Sequence, residues 1–147
     1  MGNPPQVTVL GSLNMDISVS VPKLPGPGAT VLGSAARFTP GGKGANQAVA
    51  AARLGAGVRM AGCVGDDDFG RQLLAALRAE AVDVGAIRSV TGTPTGLAMI
   101  SVDQAGENLI TVASGANHEV SQEEVNAALG NPSDVLVICA EIPLPAI

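Results

Sequence analysis

Apolar positions along the chain follow two periods in alternation, first that of a strand and then that of a helix. Apolar or β-branched runs that are typical of buried strands lie at 6–13, 58–64, 87–90 and 134–140. Apolar residues at helical spacing predict three helices, at 45–54, from an N-cap within 66–68 to about 81, and from a capping box at 121–124 to 130. Strands that alternate with helices predict an α/β fold, in which a parallel sheet is flanked by helices. The run at 134–140 is apolar enough to be buried on both faces.

Other segments alternate with period two, which is typical of strands with one polar face. The segments 18–24 and 30–38 are separated by a Pro-Gly-Pro-Gly turn, and we expect them to form a flap outside the main sheet. The segments 96–103 and 108–113 are joined by the turn 104–107 and predict a hairpin.

Polar residues stand at the carboxyl ends of the first and last predicted strands and in a glycine-rich turn. They are Asn14 and Asp16 after the first strand, Gly42, Lys43 and Asn46 in the turn, and Glu141 after the last strand. Ligands of open parallel sheets bind outside the carboxyl ends of the strands. Two carboxylates, an ammonium group, two carboxamides and free backbone amides suit a polyol, because each carboxylate accepts from two vicinal hydroxyls. Read one by one, the same residues also fit turn formers, a solvated lysine and a surface carboxylate.

The glycine-rich turn does not match the common nucleotide-binding motifs. A Walker A loop needs a hydroxyl residue after Gly42-Lys43, where this chain has Gly44. A dinucleotide fingerprint needs a third glycine at the position of Gln47. The turn therefore predicts backbone amides and a helix N-terminus that offer hydrogen-bond donors to a polar ligand.

Composition narrows the class of partner. The net charge is −5 without basic clusters, which argues against nucleic acid and against an anionic membrane surface. Two phenylalanines are the only aromatic residues, so a ligand must be held mainly by hydrogen bonds. Cys63 and Cys139 stand alone and predict two buried free thiols in a reducing compartment. Since no signal peptide, lipidation motif or bilayer-spanning run is visible, we expect a cytoplasmic protein.

Two further features favour ordinary roles. His118 is the one histidine of the chain, and we expect it on the surface or bonded locally. The acidic run Asp66 to Asp68 lacks the spacing and the final glutamate of a calcium loop.

Several phrases of the sequence closely resemble the PfkB family of carbohydrate kinases. They are LGSLNMD at 10–16, GGKGANQA at 41–48, AARLGA at 51–56, VGDD at 64–67, GEN at 106–108 and GAN at 115–117. The GGKGANQA block is a specific match to the first signature of that family. The likeness runs from Val7 to Pro143.

The resemblance implies a Rossmann-like parallel sheet over residues 1–147 and ATP-dependent phosphorylation of D-ribose at its 5-hydroxyl. It implies that Asn14, Asp16, Gly42, Lys43, Asn46 and Glu141 contact ribose. The segments 18–38 and 96–113 are expected to form a β-lid that closes over the sugar and pairs with its twin in a homodimer. The lysine of the GGKGANQA block favours a ribose-directed member over fructose- or adenosine-directed relatives.

The chain departs from the family in length, because it stops at about half of the family's usual extent. The second signature, with the catalytic aspartate and the anion hole, does not occur in the 147 residues. Neither do the magnesium motif, the adenine pocket and the monovalent-cation loop. We therefore nominate no catalytic, nucleotide-binding or metal-binding residue here, and expect ATP, Mg²⁺ and K⁺ to be bound mainly elsewhere. We expect the 147 residues alone to be inactive, and to be unstable or to associate through an exposed edge at 134–140.

Two other functions stay open at this point. One is a catalytically inactive module for sugar binding or dimerisation, and the other is a kinase of the same family with another substrate, such as fructose or a nucleoside. The scarcity of aromatic residues disfavours a nucleoside, whose base needs a stacking partner.

Overall fold

The computed structural model describes residues 4–130, 132–143 and 145, so the predicted span of 1–147 is described only within these ranges. In chain order its strands are β1 Gln6–Leu10, β2 Asn14–Ser20, β3 Arg37–Gly41, β4 Gly57–Gly65, β5 Val82–Val90, β6 Gly96–Val102, β7 Asn108–Ala113 and β8 Val135–Ile138. Its α-helices are α1 Lys43–Arg53, α2 Asp68–Ala79 and α3 Gln122–Leu129. A 3₁₀ turn lies at Gly115–Glu119.

The main sheet has four parallel strands in the order β5-β4-β1-β8. Its strands β1 and β4 bury both faces, as their apolar sequences predict. Val9 and Met60 face α1 and α2 on one side, whereas Leu10 and Ala61 face α3 and the 3₁₀ turn on the other. This arrangement confirms the prediction of a parallel sheet flanked by helices.

The other four strands form a second sheet in the order β3-β2-β6-β7. Its central strands β2 and β6 are parallel, and each pairs with an antiparallel outer strand. Because paired residues share a face, Asn14, Asp16, Ala98, Ile110 and Val112 lie on one face of this sheet. The predicted hairpin of β6 and β7 is confirmed.

The boundaries of the flap differ from the prediction. Strand β2 begins at Asn14 rather than at 18, because its ladder with β6 runs without interruption from Asn14 opposite Gly96. Asn14 and Asp16 therefore lie inside a strand, which a three-residue link separates from β1, and not in a turn. Residues 30–36 are not a strand, and β3 occupies 37–41 instead. In each case tertiary pairing decides where the strand lies.

Strand β8 is the edge of the main sheet, since β1 is its only partner among the described strands. The prediction that it is buried on both faces is wrong for this chain, because Val135, Leu136 and Ile138 are exposed. The expectation of an apolar, unpaired edge is confirmed. Such an edge can pair with another chain.

Strand β5 is longer than predicted. It begins at Val82 rather than at 87.

The helix ends follow their capping residues. Ser121 and Glu124 form the predicted capping box, in which Ser121 accepts from the Glu123 amide and Glu124 accepts from the Ser121 amide. Asp67 caps α2 by accepting from the Gly70 amide at 2.8 Å. None of the helices that the structure describes is long and apolar enough to cross a lipid bilayer. Both cysteine thiols are buried, as predicted.

Two contacts connect the second sheet to α2. The Asp67 carboxylate accepts from the Thr95 amide at 2.8 Å and from the Thr95 hydroxyl at 2.6 Å, directly before β6. Phe38 of β3 stacks on Phe69 of α2, with ring centroids 6.1 Å apart and an interplanar angle of 24°. Thus Asp67 both caps a helix and fixes the start of a strand in the other sheet.

We predict that Asp67→Ala destabilises the intact protein by about 2–4 kcal/mol, because it removes a helix cap and two hydrogen bonds to buried Thr95. Burial alone would raise the pKa of Asp67, but hydrogen bonds from Thr95 and Gly70 outweigh it, so the pKa is lowered. Because the pKa of Asp67 is lower in the folded protein than in the unfolded chain, the ionised carboxylate stabilises the fold. This stabilisation is complete at a pH above the unfolded-state pKa and is lost as the pH falls through the folded-state pKa. Urea unfolding at several pH values should therefore show that the difference in unfolding free energy between the wild type and Asp67→Ala becomes smaller at acidic pH.

The neighbouring Asp68→Ala provides the matched control. Asp68 is exposed and pairs only with Arg71 on the surface, so its loss should cost under about 1 kcal/mol. Equal losses for the two variants would contradict the bridging role of Asp67.

Candidate functional site

The glycine-rich segment is a point of close backbone approach. A Cβ on Gly42 would lie 2.7 Å from the Asn14 amide nitrogen, and a Cβ on Gly44 would lie 2.7 Å from the Ser12 amide nitrogen. Gly42 also has a φ of 96°, which side-chain-bearing residues rarely adopt. The glycines thus let the amino terminus of α1 pack directly against the link between β1 and β2.

The start of β2 brings a carboxamide and a carboxylate to the same place. Asn14 is buried and pairs in the ladder with Gly41, while Asp16 is half-buried and pairs with Thr39. A Cβ on Gly41 would lie 2.2 Å from Asp16 Oδ2, so the carboxylate rests against bare backbone. Since alternate residues of a strand share a face, Asn14 and Asp16 project to the same side.

Glu141 comes to this region from the opposite end of the chain. It follows β8, where the Cys139 amide donates to the Leu10 carbonyl and aligns the segment with the end of β1. The Ser12 hydroxyl donates to Glu141 Oε2 at 2.9 Å, and Lys43 Nζ donates to Glu141 Oε1. Two predicted site residues, Lys43 and Glu141, are therefore in direct contact.

The two carboxylates have opposite pKa shifts. Burial, followed by the nearby charge of Glu141, raises the pKa of Asp16 above its ordinary value. The hydrogen bond from Lys43, assisted by the one from Ser12, lowers the pKa of Glu141 despite its partial burial. The same contact raises the pKa of Lys43. At neutral pH the pair of Glu141 and Lys43 stays ionised, and Asp16 is the carboxylate whose charge is least favoured.

A cavity of about 340 Å³ opens beside these residues. It is walled by the β1–β2 link, the end of β7, the 3₁₀ turn and the segment after β8. Its lining residues are Ser12, Asn14, Val112, Ser114, Asn117, His118, Ala140, Glu141, Ile142 and Pro143. Its lining combines hydroxyl, carboxamide and carboxylate groups with apolar side chains, which suits a small polyhydroxy ligand.

The structure brings most of the predicted site residues together but not all. Asn14 and Glu141 line the cavity, Lys43 bonds to Glu141, and Asp16 is close enough to Glu141 for its pKa to respond. Asn46 is exposed and lines a different cavity, of about 310 Å³, between α1 and α2. The sequence alone grouped it with the others because it shares their glycine-rich segment.

The backbone amides expected to face a ligand are partly engaged elsewhere. The Ala45 amide donates to the Ser12 carbonyl at 3.1 Å, and the Gly44 amide donates to the Ser12 hydroxyl at 3.5 Å. The prediction of free donors at the amino terminus of α1 is wrong for these two amides. They serve instead to hold the helix against the β1–β2 link.

Three functional candidates were missed from the sequence. Ser12 orients Glu141, whereas Ser114 and Asn117 line the cavity. A serine two residues before a predicted site asparagine and an asparagine in a Gly-Ala-Asn turn were visible signals, but only the fold shows that they meet. His118 is exposed, as expected, and stands on the cavity wall. Among the described residues, no group of three or more His, Cys, Asp or Glu side chains could hold a metal ion.

Comparison with known proteins places this geometry in a family. Residues 4–146 match the family described as pfkB family carbohydrate kinase. The chain belongs to the pfkB family. This membership confirms the resemblance drawn from the signature phrases, while the roles of individual site residues stay predictions.

Similar pfkB-family proteins include several ribokinases. The chain is 43% identical over 143 residues to the ribokinase of Haemophilus influenzae, covering 96% of this chain and 47% of that protein. The ribokinase structure from Thermotoga maritima aligns with a TM-score of 0.87 at 36% identity, over 97% of this chain and 47% of that one. The Arabidopsis thaliana ribokinase, solved in complex with ribose and ATP, aligns with a TM-score of 0.78 at 32% identity, over 97% and 47%. The chain thus spans about half the length of these relatives.

We predict that Glu141→Gln lowers the pKa of Asp16 in this pfkB-family protein, because it removes the negative charge that assists burial in raising it. The pKa should stay above its ordinary value, since the burial of Asp16 is unchanged. Carbon-detected NMR titration of the Asp16 carboxyl measures the shift.

The control is Glu107→Gln in the turn between β6 and β7, where an exposed carboxylate of the same kind lies outside the site. It should leave the titration of Asp16 unaltered. An unchanged Asp16 pKa in the Glu141→Gln variant would mean that the two carboxylates do not interact electrostatically.

Proposed function

We propose that the protein carrying this chain phosphorylates D-ribose at its 5-hydroxyl with ATP, and that this chain supplies the main part of the sugar site. The single observation that carries the proposal is the meeting of Asn14, Asp16, Lys43 and Glu141 beside one small cavity. The similarity to ribokinases at 43% identity supports ribose rather than another sugar as the substrate.

Sugar recognition rests on the two carboxylates. Each accepts hydrogen bonds from vicinal hydroxyls, and a charge-assisted bond contributes about 1.5–3 kcal/mol. Lys43 and Ser12 hold the Glu141 carboxylate in place, so binding does not have to order it. An analogue that lacks a hydroxyl leaves a buried polar group without a partner and is rejected on that account.

The second sheet acts as a lid in this proposal. Val112 of β7 and Ser114 beyond it form part of the cavity wall, so the segment 96–113 covers the sugar on one side. The predicted partner segment 18–38 is supported only in part, because residues 22–36 form a mostly exposed connection and the strands are β2 and β3. The lid residues nearest the ligand therefore come from β7.

ATP is proposed as the phosphoryl donor because the Arabidopsis relative was solved with ribose and ATP. Mg²⁺ and K⁺ are proposed as its companions on the family resemblance. The described residues do not by themselves form a metal site, and we assign no ion-binding role to them. We likewise assign no general base to this chain. Its contribution is to bind and orient the sugar, which matters because phosphoryl transfer depends on positioning and electrostatics.

A cytoplasmic location is part of the proposal. Cys63 and Cys139 are both free and buried, and unpaired thiols are typical of proteins in a reducing compartment.

We predict that the intact protein forms ADP with ribose, and that Asp16→Asn lowers kcat/KM for ribose by roughly 10–100-fold. The factor corresponds to one lost charge-assisted bond at 1.4 kcal/mol per factor of ten. A coupled ADP assay with ribose, 2-deoxyribose, fructose and adenosine measures both rate and specificity. Ribose should be the best substrate of the four.

The matched control is Asp83→Asn, at the opposite end of the main sheet, where the side chain binds Arg59 and the Gly85 amide. It should leave kcat/KM within about twofold. A preference for fructose or adenosine would overturn the ribose assignment. Ribose phosphorylation by residues 1–147 alone would overturn the view that this chain only binds the sugar.

We also propose that the protein forms a homodimer through the second sheet. Its strands β3, β6 and β7 expose apolar side chains, with Ile110 and Val112 on the cavity face and Phe38, Met99 and Leu109 on the other. Exposed apolar patches of this kind mark association surfaces.

We predict that the intact protein sediments as a dimer. A lysine substituted on the face of the second sheet that forms the interface should dissociate this dimer, because it buries an unpaired charge. Met99→Lys and Ile110→Lys test one face each, and one of them should give a monomer. Leu129→Lys on α3, at an equally exposed apolar position, is the control and should stay dimeric. A monomeric wild type, or two dimeric lid variants, would contradict the proposal.

A further inference from the structure

Asn117 lies at the junction of the two sheets with only 1% of its surface exposed. Its Oδ1 accepts from the Leu13 amide at 2.8 Å. Its Nδ2 is within bonding distance of the Leu13 carbonyl at 3.1 Å, Asn14 Oδ1 at 2.7 Å and the Ser114 carbonyl at 3.0 Å. Every polar atom of this side chain is therefore occupied by the protein, although the residue lines the cavity.

These partners determine which way the amide points. The Leu13 amide can only donate, so the atom of Asn117 that faces it must be the oxygen. The carbonyls of Leu13 and Ser114 can only accept, so the atom that faces them must be the nitrogen. The orientation therefore follows from the chemistry of the backbone groups around it.

The orientation of Asn117 in turn determines that of Asn14. Because the Asn117 nitrogen donates, Asn14 must accept with its oxygen. Asn14 lines the cavity, and the part of its amide that is left for a ligand is the NH₂ group. Asn14 thus offers a hydrogen-bond donor beside two carboxylates, Asp16 and Glu141, that accept.

Packing leaves the pair little room to turn. A Cβ on Gly96 would lie 2.2 Å from Asn14 Oδ1 and 2.3 Å from Asn117 Nδ2, so the two amides fill the space above bare backbone at the start of β6. The Ala116 amide donates to the Pro94 carbonyl at 2.8 Å and fixes the 3₁₀ turn that carries Asn117. The contact between the amides is held from both sides.

We propose that Asn117 is a positioning residue for sugar recognition, which turns the NH₂ group of Asn14 into the cavity. A hydroxyl there can accept from Asn14 and donate to a carboxylate at the same time, so the site selects a group that does both. This inference rests on the proposed sugar-binding function and adds a specificity determinant to it.

The first test is Asn14→Asp in the intact protein. An aspartate still accepts from Asn117, but it presents an oxygen to the cavity instead of NH₂. Ribose should bind at least about tenfold more weakly by titration calorimetry, the equivalent of one hydrogen bond. Because the new carboxylate is buried beside Asp16, the melting temperature should fall, and ribose affinities are compared at a temperature at which both proteins are folded. Unchanged ribose affinity would mean that the Asn14 oxygen faces the sugar, and would overturn the proposal.

The second test is Asn117→Asp, which removes the donor that orients Asn14. We expect a loss of ribose affinity of about tenfold or more, with KM for ATP unchanged. On an Asn14→Ala background the same substitution should cost less than about twofold, because Asn117 acts through Asn14. Losses that simply multiply would overturn the positioning role. Asn126→Asp, an exposed asparagine on α3, adds the same charge and should leave ribose binding unaltered.

A third measurement needs no sugar. In ¹⁵N NMR hydrogen exchange, the Asn117 side-chain NH₂ should be protected, whereas that of Asn14 should exchange quickly through the cavity. The reverse pattern would refute the orientation even if ribose binds. Absence of ribose binding in the wild type, together with the expected exchange pattern, would refute the proposed function and leave the orientation intact.

Discussion

The direct contact between the amino terminus of α1 and the β1–β2 link is the constraint on which the site depends. Gly42 and Gly44 allow it, because any side chain there would overlap the backbone of residues 11–14. The contact places Lys43 beside the segment that follows β8, where it meets Glu141. It also places the start of β2 next to the same helix end. Lys43 and Glu141, which are 98 residues apart in the chain, thus meet directly.

The two carboxylates of the site, Asp16 and Glu141, differ in how well their negative charges are stabilised. Glu141 is kept ionised by Lys43 and Ser12, so it is a fixed acceptor. Asp16 has no cationic partner and is burdened by both burial and the charge of Glu141. In the proposed function, a sugar hydroxyl that donates to Asp16 would offset both effects. Asn14 completes the set with a donor whose direction is imposed by Asn117.

The sequence was most informative where local chemistry determines structure. The capping box at Ser121 and Glu124, the apolar runs of β1 and β4 and the hairpin of β6 and β7 were predicted because neighbours in sequence determine them. The start of β2 and the true position of β3 were missed, since they depend on a ladder between distant segments. For the same reason Ser12 and Asn117 were overlooked, whereas Asn46 lines another cavity and its contact with ribose stays a prediction.

The stacked pair of Phe38 and Phe69 has a consequence for observing the lid. The two rings are the whole aromatic complement of these 147 residues, which have no tryptophan and no tyrosine. One ring belongs to the second sheet and the other to α2, so the pair spans the boundary between lid and body. A tryptophan placed at either position would be the sole indole of this chain. Its fluorescence would report the separation of the second sheet from α2, with no other tryptophan or tyrosine in these 147 residues contributing to the signal.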